Sequence, residues 1–244
     1  MRLLVTRPEA DSVAFKAHLI AQGHHVVIDP LLIVRFDGAE PIELDGVQAL
    51  IATSRNGLRA LARNEAFATG KSMRVYCVGP GTASTAAALG FTDVVKGPAT
   101  ARDLVAVIAR QADINGGPLL HLAGDVVTPG LVDELQRLGF HVLQPTVYRT
   151  DAAERLAAAT VASLRNGRID AIILLSPRTA EVYANLVQSH RLVDAVRNLT
   201  HVCVSAATAA RLTSLEPAKV VVAAGPNLQE VLALLAPGAT HSSR

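Results

Sequence analysis

The residues best placed to do chemistry stand where short apolar runs give way to helical sequence. Five junctions read TRPEADS (Thr6–Ser12), TSRNG (Thr53–Gly57), GPGTA (Gly79–Ala83), SPRTA (Ser176–Ala180) and SAATA (Ser205–Ala209); a sixth, AGDVVTPG, follows Leu122. A helix that starts after a strand leaves backbone N–H groups without intrahelical partners, and its dipole favours negative charge. Short hydroxyl side chains add further donors. The chemistry expected of such turns is the binding of anions, carboxylates above all. The bland alternative is that each Ser or Thr caps its helix and does nothing more. Arg7 and Arg178 are candidate partners for an acidic ligand, although Arg178 could instead pair with Glu181 one turn on. Tyr148, in the strand-like PTVYRT, is the one side chain positioned to give a proton. A phenol with an ordinary pKa of about 10 is protonated at neutral pH.

Other chemistries are excluded or weak. GPGTAS departs from the GxGxxG fingerprint at Ser84 and no Lys follows, so it is not a nucleotide-binding P-loop. Its counterpart SAATAA lacks the glycines altogether. No Cys/His cluster has metal-ligand spacing, so no metal site is expected. The net charge of +2 over 244 residues supplies no basic field for nucleic acid. Arg outnumbers Lys 19 to 4, which suits carboxylate recognition but also follows from base composition alone. No apolar stretch is long enough for a signal peptide or a membrane span. Cys77 and Cys203 both sit in apolar runs, as small buried hydrophobes of a reducing cytoplasm would.

These turns belong to a chain that repeats itself. YCVGPGTASTAAALGF matches VCVSAATAARLTSL, which sets Cys77 over Cys203 and Thr82 over Thr208. LIATSRNGLRAL falls near ILLSPRTAEVYANL, with Ser54 over Ser176. VKGPATARDLVAVIA resembles VAAGPNLQEVLALLA. The opening RLLVTRPEADSVAFKAHLIAQGHHVV resembles PLLHLAGDVVTPGLVDELQRLGFHVL, with Gly23 over Gly139. Each copy reads as β-α-β followed by three β-α steps. Short apolar strands alternating with amphipathic helices predict parallel sheets covered on both faces, hence two α/β units. With half the residues hydrophobic but only 3% aromatic, the core must be built of Ala, Val and Leu. LLIVRF (Leu31–Phe36) and PTVYRT (Pro145–Thr150) are candidate crossings between the units. The repeat alone also allows two tandem domains divided near Gly117.

Taken in order, TRP, TSRNGLRAL, VGPGTAS, TVYRT, LLSPRTAEVY and ATAARL make the chain resemble the uroporphyrinogen-III synthase family over nearly its whole length. The resemblance implies two similar α/β domains, each a parallel sheet flanked by helices with a flavodoxin-like tendency. They would be joined by a two-stranded β-ladder hinge, with the active site in the cleft. The domains would be residues 1–33 plus 151–244, and residues 37–147, with linker strands near 31–36 and 145–150. The implied activity is a cofactor-free lyase reaction, the dehydrating cyclisation of hydroxymethylbilane. This linear tetrapyrrole polycarboxylate suits anion-seeking turns. The resemblance makes Tyr148 the candidate acid. Arg7, Ser54, Asn56, Gly79, Thr82, Gly124, Ser176, Arg178 and Thr208 become candidate substrate contacts. It further implies a cytoplasmic monomer that neither binds nucleic acid nor enters a membrane, with transient contact to the preceding enzyme of the pathway. Thr128 departs from the Arg often found there in the family. A non-catalytic two-domain binder or sensor of an acidic small molecule is the alternative.

Overall fold

Alternation along the strands decides how the apolar runs are used. The structure is a computed structural model that describes residues 1–98, 100–127, 129–225 and 227–235. The chain begins β1 (Arg2–Val5), α1 (Glu9–Ala21), β2 (His25–Ile28), β3 (Leu32–Arg35), β4 (Ala49–Ala52), α2 (Arg55–Leu61), α3 (Phe67–Gly70), β5 (Arg74–Cys77) and α4 (Pro80–Ala88). It continues β6 (Asp93–Lys96), α5 (Ala101–Gln111), β7 (Leu119–His121), β8 (Ala123–Gly124), α6 (Leu131–Arg137), β9 (Val142–Leu143) and β10 (Thr146–Ala152). It ends α7 (Ala158–Arg165), β11 (Ala171–Leu174), α8 (Pro177–Ser189), α9 (Val193–Val196), β12 (Thr200–Cys203), α10 (Ala206–Ala209), β13 (Lys219–Val222) and α11 (Leu228–Ala233).

Two five-stranded sheets result, with strand orders β13-β12-β11-β1-β2 and β6-β5-β4-β7-β9. The ladders within both are parallel. Position by position the two orders are the same, which is the sequence duplication made visible. Each sheet takes two strands from one copy and three from the other. β7 lies beside β4, so the chain is not divided near Gly117. Contacts gather into two compact units, Met1–Ile33 with the chain from Asp151 onward, and Val34–Thr150. β3 and β10, where the chain passes from one unit to the other, are neighbours in a third, three-stranded sheet with β8.

Successive side chains of a strand point to opposite faces, and both faces here are covered. In β11, Ile172 and Leu174 enter one core with Leu4 and Tyr183, while Ala171 and Ile173 enter another with Leu3, Val5 and Phe15. In β4, Leu50 and Ala52 pack with Val75 and Leu58, and Ala49 and Ile51 with Tyr76 and Ile108. Central parallel strands are therefore apolar without a break. Cys77 and Cys203 end equivalent strands, both buried, and burial pushes each thiol up to about 12.

Candidate active site

Tyr148 is the centre of the most specific arrangement. It lies on β10, 8% exposed, paired in register with Gly124 of β8. The pairing needs a glycine. A Cβ on residue 124 would stand 2.5 Å from Tyr148 Cζ and 2.8 Å from its hydroxyl oxygen. The ring thus lies directly on the Gly124 backbone. The phenol shares a hydrogen bond with Ser54, the N-cap of α2. Burial raises its pKa above the ordinary value, the Ser54 bond opposes this, and the nearby Asp125 carboxylate adds to the rise. The group is therefore a protonated donor at neutral pH. Asp125 is tied to the same strand: its N–H donates to Tyr148 O at 3.1 Å, and its Oδ1 accepts from Thr150 N–H at 3.0 Å.

The hydroxyl turns differ from one another in a way that bears on ligand binding. Ser54, Ser176 and Ser205 are N-caps whose side chains accept from Asn56, Thr179 and Thr208 N–H. Thr179 and Thr208, three residues after their caps, also bond to the cap hydroxyls at 2.8 and 3.0 Å. Those turns are self-satisfied. In the equivalent turn of α4 the N-cap is Gly79, with no side chain to cap, and Pro80 follows without an N–H. Gly79 is extended (φ −167°), a conformation open to any residue. What sets it apart is that, among the described residues, no side chain caps the Gly81 and Thr82 N–H groups. Arg55, from the first turn of α2, lays its guanidinium on Gly81: a Cβ there would stand 2.7 Å from Arg55 Nη2.

Ser54, Asn56, Gly79, Thr82, Gly124 and Tyr148 thus all stand in the unit Val34–Thr150. Asn56 Oδ1 accepts from Arg59 Nη1 at 2.9 Å. Arg7, Ser176, Arg178 and Thr208 stand at the corresponding strand ends of the other unit. Arg7 packs into α1, 3.7 Å from Asp11 and with its guanidinium 5.7 Å from the Phe15 ring centroid. Thr208 is fully buried. Glu181, the expected alternative partner of Arg178, lies 3.9 Å from Arg211. Thr128 is outside the described residues. Among those residues no group of His, Cys, Asp and Glu could hold a metal ion, and no helix is long and apolar enough to cross a membrane.

Three contributors were not singled out by sequence reasoning. Arg55 and Asp125 each adjoin a residue that was, and both lie inside quoted turns. His121 is the third. It is 2% exposed and bonds Thr53 Oγ1 at 2.9 Å and Gln144 Nε2 at 2.8 Å. With Nδ1 accepting from the amide, Nε2–H donates to Thr53, which steadies the residue before Ser54. Burial lowers its pKa to about 4, so the ring is neutral. A polar residue ending an otherwise apolar strand was the available signal.

The fold defines an α/β protein of two compact units, each built on a five-stranded parallel sheet. The HEM4 family, Uroporphyrinogen-III synthase HemD, matches residues 13–233. The chain belongs to this family of tetrapyrrole biosynthesis. Among solved structures it is similar to the uroporphyrinogen-III synthetase of Helicobacter pylori 26695, with TM-score 0.63 and 17% identity over 96% of this chain and 98% of that one. A mutant uroporphyrinogen III synthase from the extremely thermophilic bacterium Thermus thermophilus matches with TM-score 0.47 and 18% identity, covering 90% and 92%. A comparison with curated proteins gives no match.

Proposed function

We propose that this chain is a uroporphyrinogen-III synthase that closes hydroxymethylbilane with inversion of the terminal pyrrole ring. Tyr148 O–H protonates the departing hydroxyl, the C–O bond breaks toward oxygen, and water leaves an azafulvenium cation. The terminal pyrrole attacks through its substituted carbon to give a spirocyclic pyrrolenine. Fragmentation and recombination close the macrocycle, and the proton lost on rearomatisation returns to the phenolate. Gly79, Thr82 and the α4 N-terminus bind a substrate carboxylate, with Ser54 and Asn56 ordering the neighbouring turn. In the second unit Arg7, Ser176, Arg178 and Thr208 serve equivalent turns. The observation that carries the reading, within this family, is the Tyr148 phenol, buried, hydrogen-bonded to Ser54 and seated on Gly124.

The open bilane closes unaided to the symmetrical type I isomer, so the protein must win a contest of selectivity. A tenfold preference needs only about 1.4 kcal/mol of differential transition-state stabilisation. Holding the two ends in one geometry supplies that amount. The test is product analysis: mix protein with freshly prepared hydroxymethylbilane, oxidise, and separate the uroporphyrin isomers. Type III is expected. Type I alone at ample protein refutes catalysis and leaves the reading of a binder.

A further inference from the structure

The reaction proposed above creates a positive centre as the hydroxyl leaves, and a carboxylate is fixed to the backbone of the strand that carries the proton-giving phenol. We propose that the Asp125 carboxylate is the counter-charge to the cation that forms when the C–O bond breaks at Tyr148. The inference rests on that reading of Tyr148.

Asp125 is exposed, on the residue directly after the glycine that carries the phenol. Two bonds hold it there. Its N–H donates to the Tyr148 carbonyl at 3.1 Å, and its Oδ1 accepts from Thr150 N–H at 3.0 Å. The carboxylate therefore keeps a set position relative to the phenol while its remaining oxygen can face a ligand. The other groups around Tyr148 do not offer this charge. The cap of α2 contributes the Ser54 hydroxyl, with Arg55 in the turn that follows. On neighbouring β3, Arg35 is exposed between the partly buried Val34 and Phe36; on β10 itself Arg149 is exposed. β10 also carries Asp151, three residues past Tyr148 and so on the other face of the strand; Asp125 is the carboxylate whose charge reaches the phenol. Its charge also opposes ionisation of the phenol in the resting site, so the proton leaves when the cation appears and balances the new phenolate. Preorganised charge aimed at developing charge acts without reorganisation at the moment of reaction.

The experiment uses the full chain with Asp125→Asn and Asp125→Glu. Asn keeps an Oδ1 to accept from Thr150 and removes only the charge, so the melting temperature should hold. For Asp125→Asn, kcat should fall about tenfold (about 1.4 kcal/mol) with KM unchanged, and the alkaline limb of the kcat profile should move to lower pH. Asp125→Glu should recover part of the loss. An unchanged kcat in Asp125→Asn, or a raised KM alone, overturns the proposal. So does a loss in Asp125→Asn that follows its melting temperature, with no shift of the limb. Type III product from the wild type with an unaffected Asp125→Asn removes this inference alone. Absence of type III from the wild type removes the proposed function together with it.

Discussion

Replacing Gly124 by Ala sets one methyl group against the candidate acid. The new Cβ would stand 2.5, 2.7 and 2.8 Å from Tyr148 Cζ, Cε2 and the hydroxyl oxygen. Ordinary contacts between such atoms begin near 3.5 Å, so the ring must retreat by about 1 Å. Overpacking of this kind costs about 1–3 kcal/mol of stability. A displacement of about 1 Å in a positioned group costs up to about a hundredfold in rate. Gly124→Ala should therefore lower the rate of type III formation by about one to two orders of magnitude with a melting temperature only several degrees down. The loss should run through the phenol, so Gly124→Ala in a Tyr148→Phe background should cost much less than in the wild type. Isomer-resolved initial rates for the four proteins measure this. A Gly124→Ala protein at the wild-type rate, or losses that multiply in the double variant, would refute the idea that the glycine exists to seat the acid.

The equivalent threonines should part company. Thr208, bonded to Ser205 and fully buried, should on change to Val lose about 0.5–1.5 kcal/mol of stability without a change in KM. Thr82→Val should instead raise KM about two- to tenfold at constant stability, since one hydrogen bond to ligand is lost; the opposite pattern reverses the assignment. Acid should destabilise the protein through two buried imidazoles. His121 and His201, ordinarily near 6.5, are lowered to about 4 by burial. The unfolded chain takes up these protons below pH 6.5 and the folded chain only near pH 4, so stability falls as pH drops through that window. Each ring contributes at most roughly 3 kcal/mol to the fall. Urea denaturation at stepped pH should show the loss in the wild type and a shallower slope in His121→Asn and in His201→Asn.

Much of this architecture is legible in the residues. Unbroken apolar runs such as AIILL mark central parallel strands, and the match of Cys77 with Cys203 marks equivalent positions of two sheets. The order of six short motifs points to the family although each is common by itself. What the residues do not disclose is register. That Tyr148 meets Gly124 depends on β10 lying beside β8, a pairing between segments more than twenty residues apart with no local signature. The same holds for Arg55 on Gly81. Capping was equally hidden: SPRTA and GPGTA look alike as hydroxyl turns. Whether a turn offers its N–H groups or consumes them is decided by one side chain, Ser176 in the first case and none at Gly79. His121 escaped notice because its partners, Thr53 and Gln144, arrive from either side of the strand in space and from distant positions in sequence.

The phenol of Tyr148 is the acid of the proposed reaction. Its most direct test is the initial rate of hydroxymethylbilane consumption by Tyr148→Phe beside wild type, at matched melting temperature and after subtraction of spontaneous closure. General-acid assistance is typically about 10²–10⁴-fold, so the variant should fall by about two orders of magnitude or more, limited by the spontaneous background. Full rate in the phenylalanine protein would contradict the account.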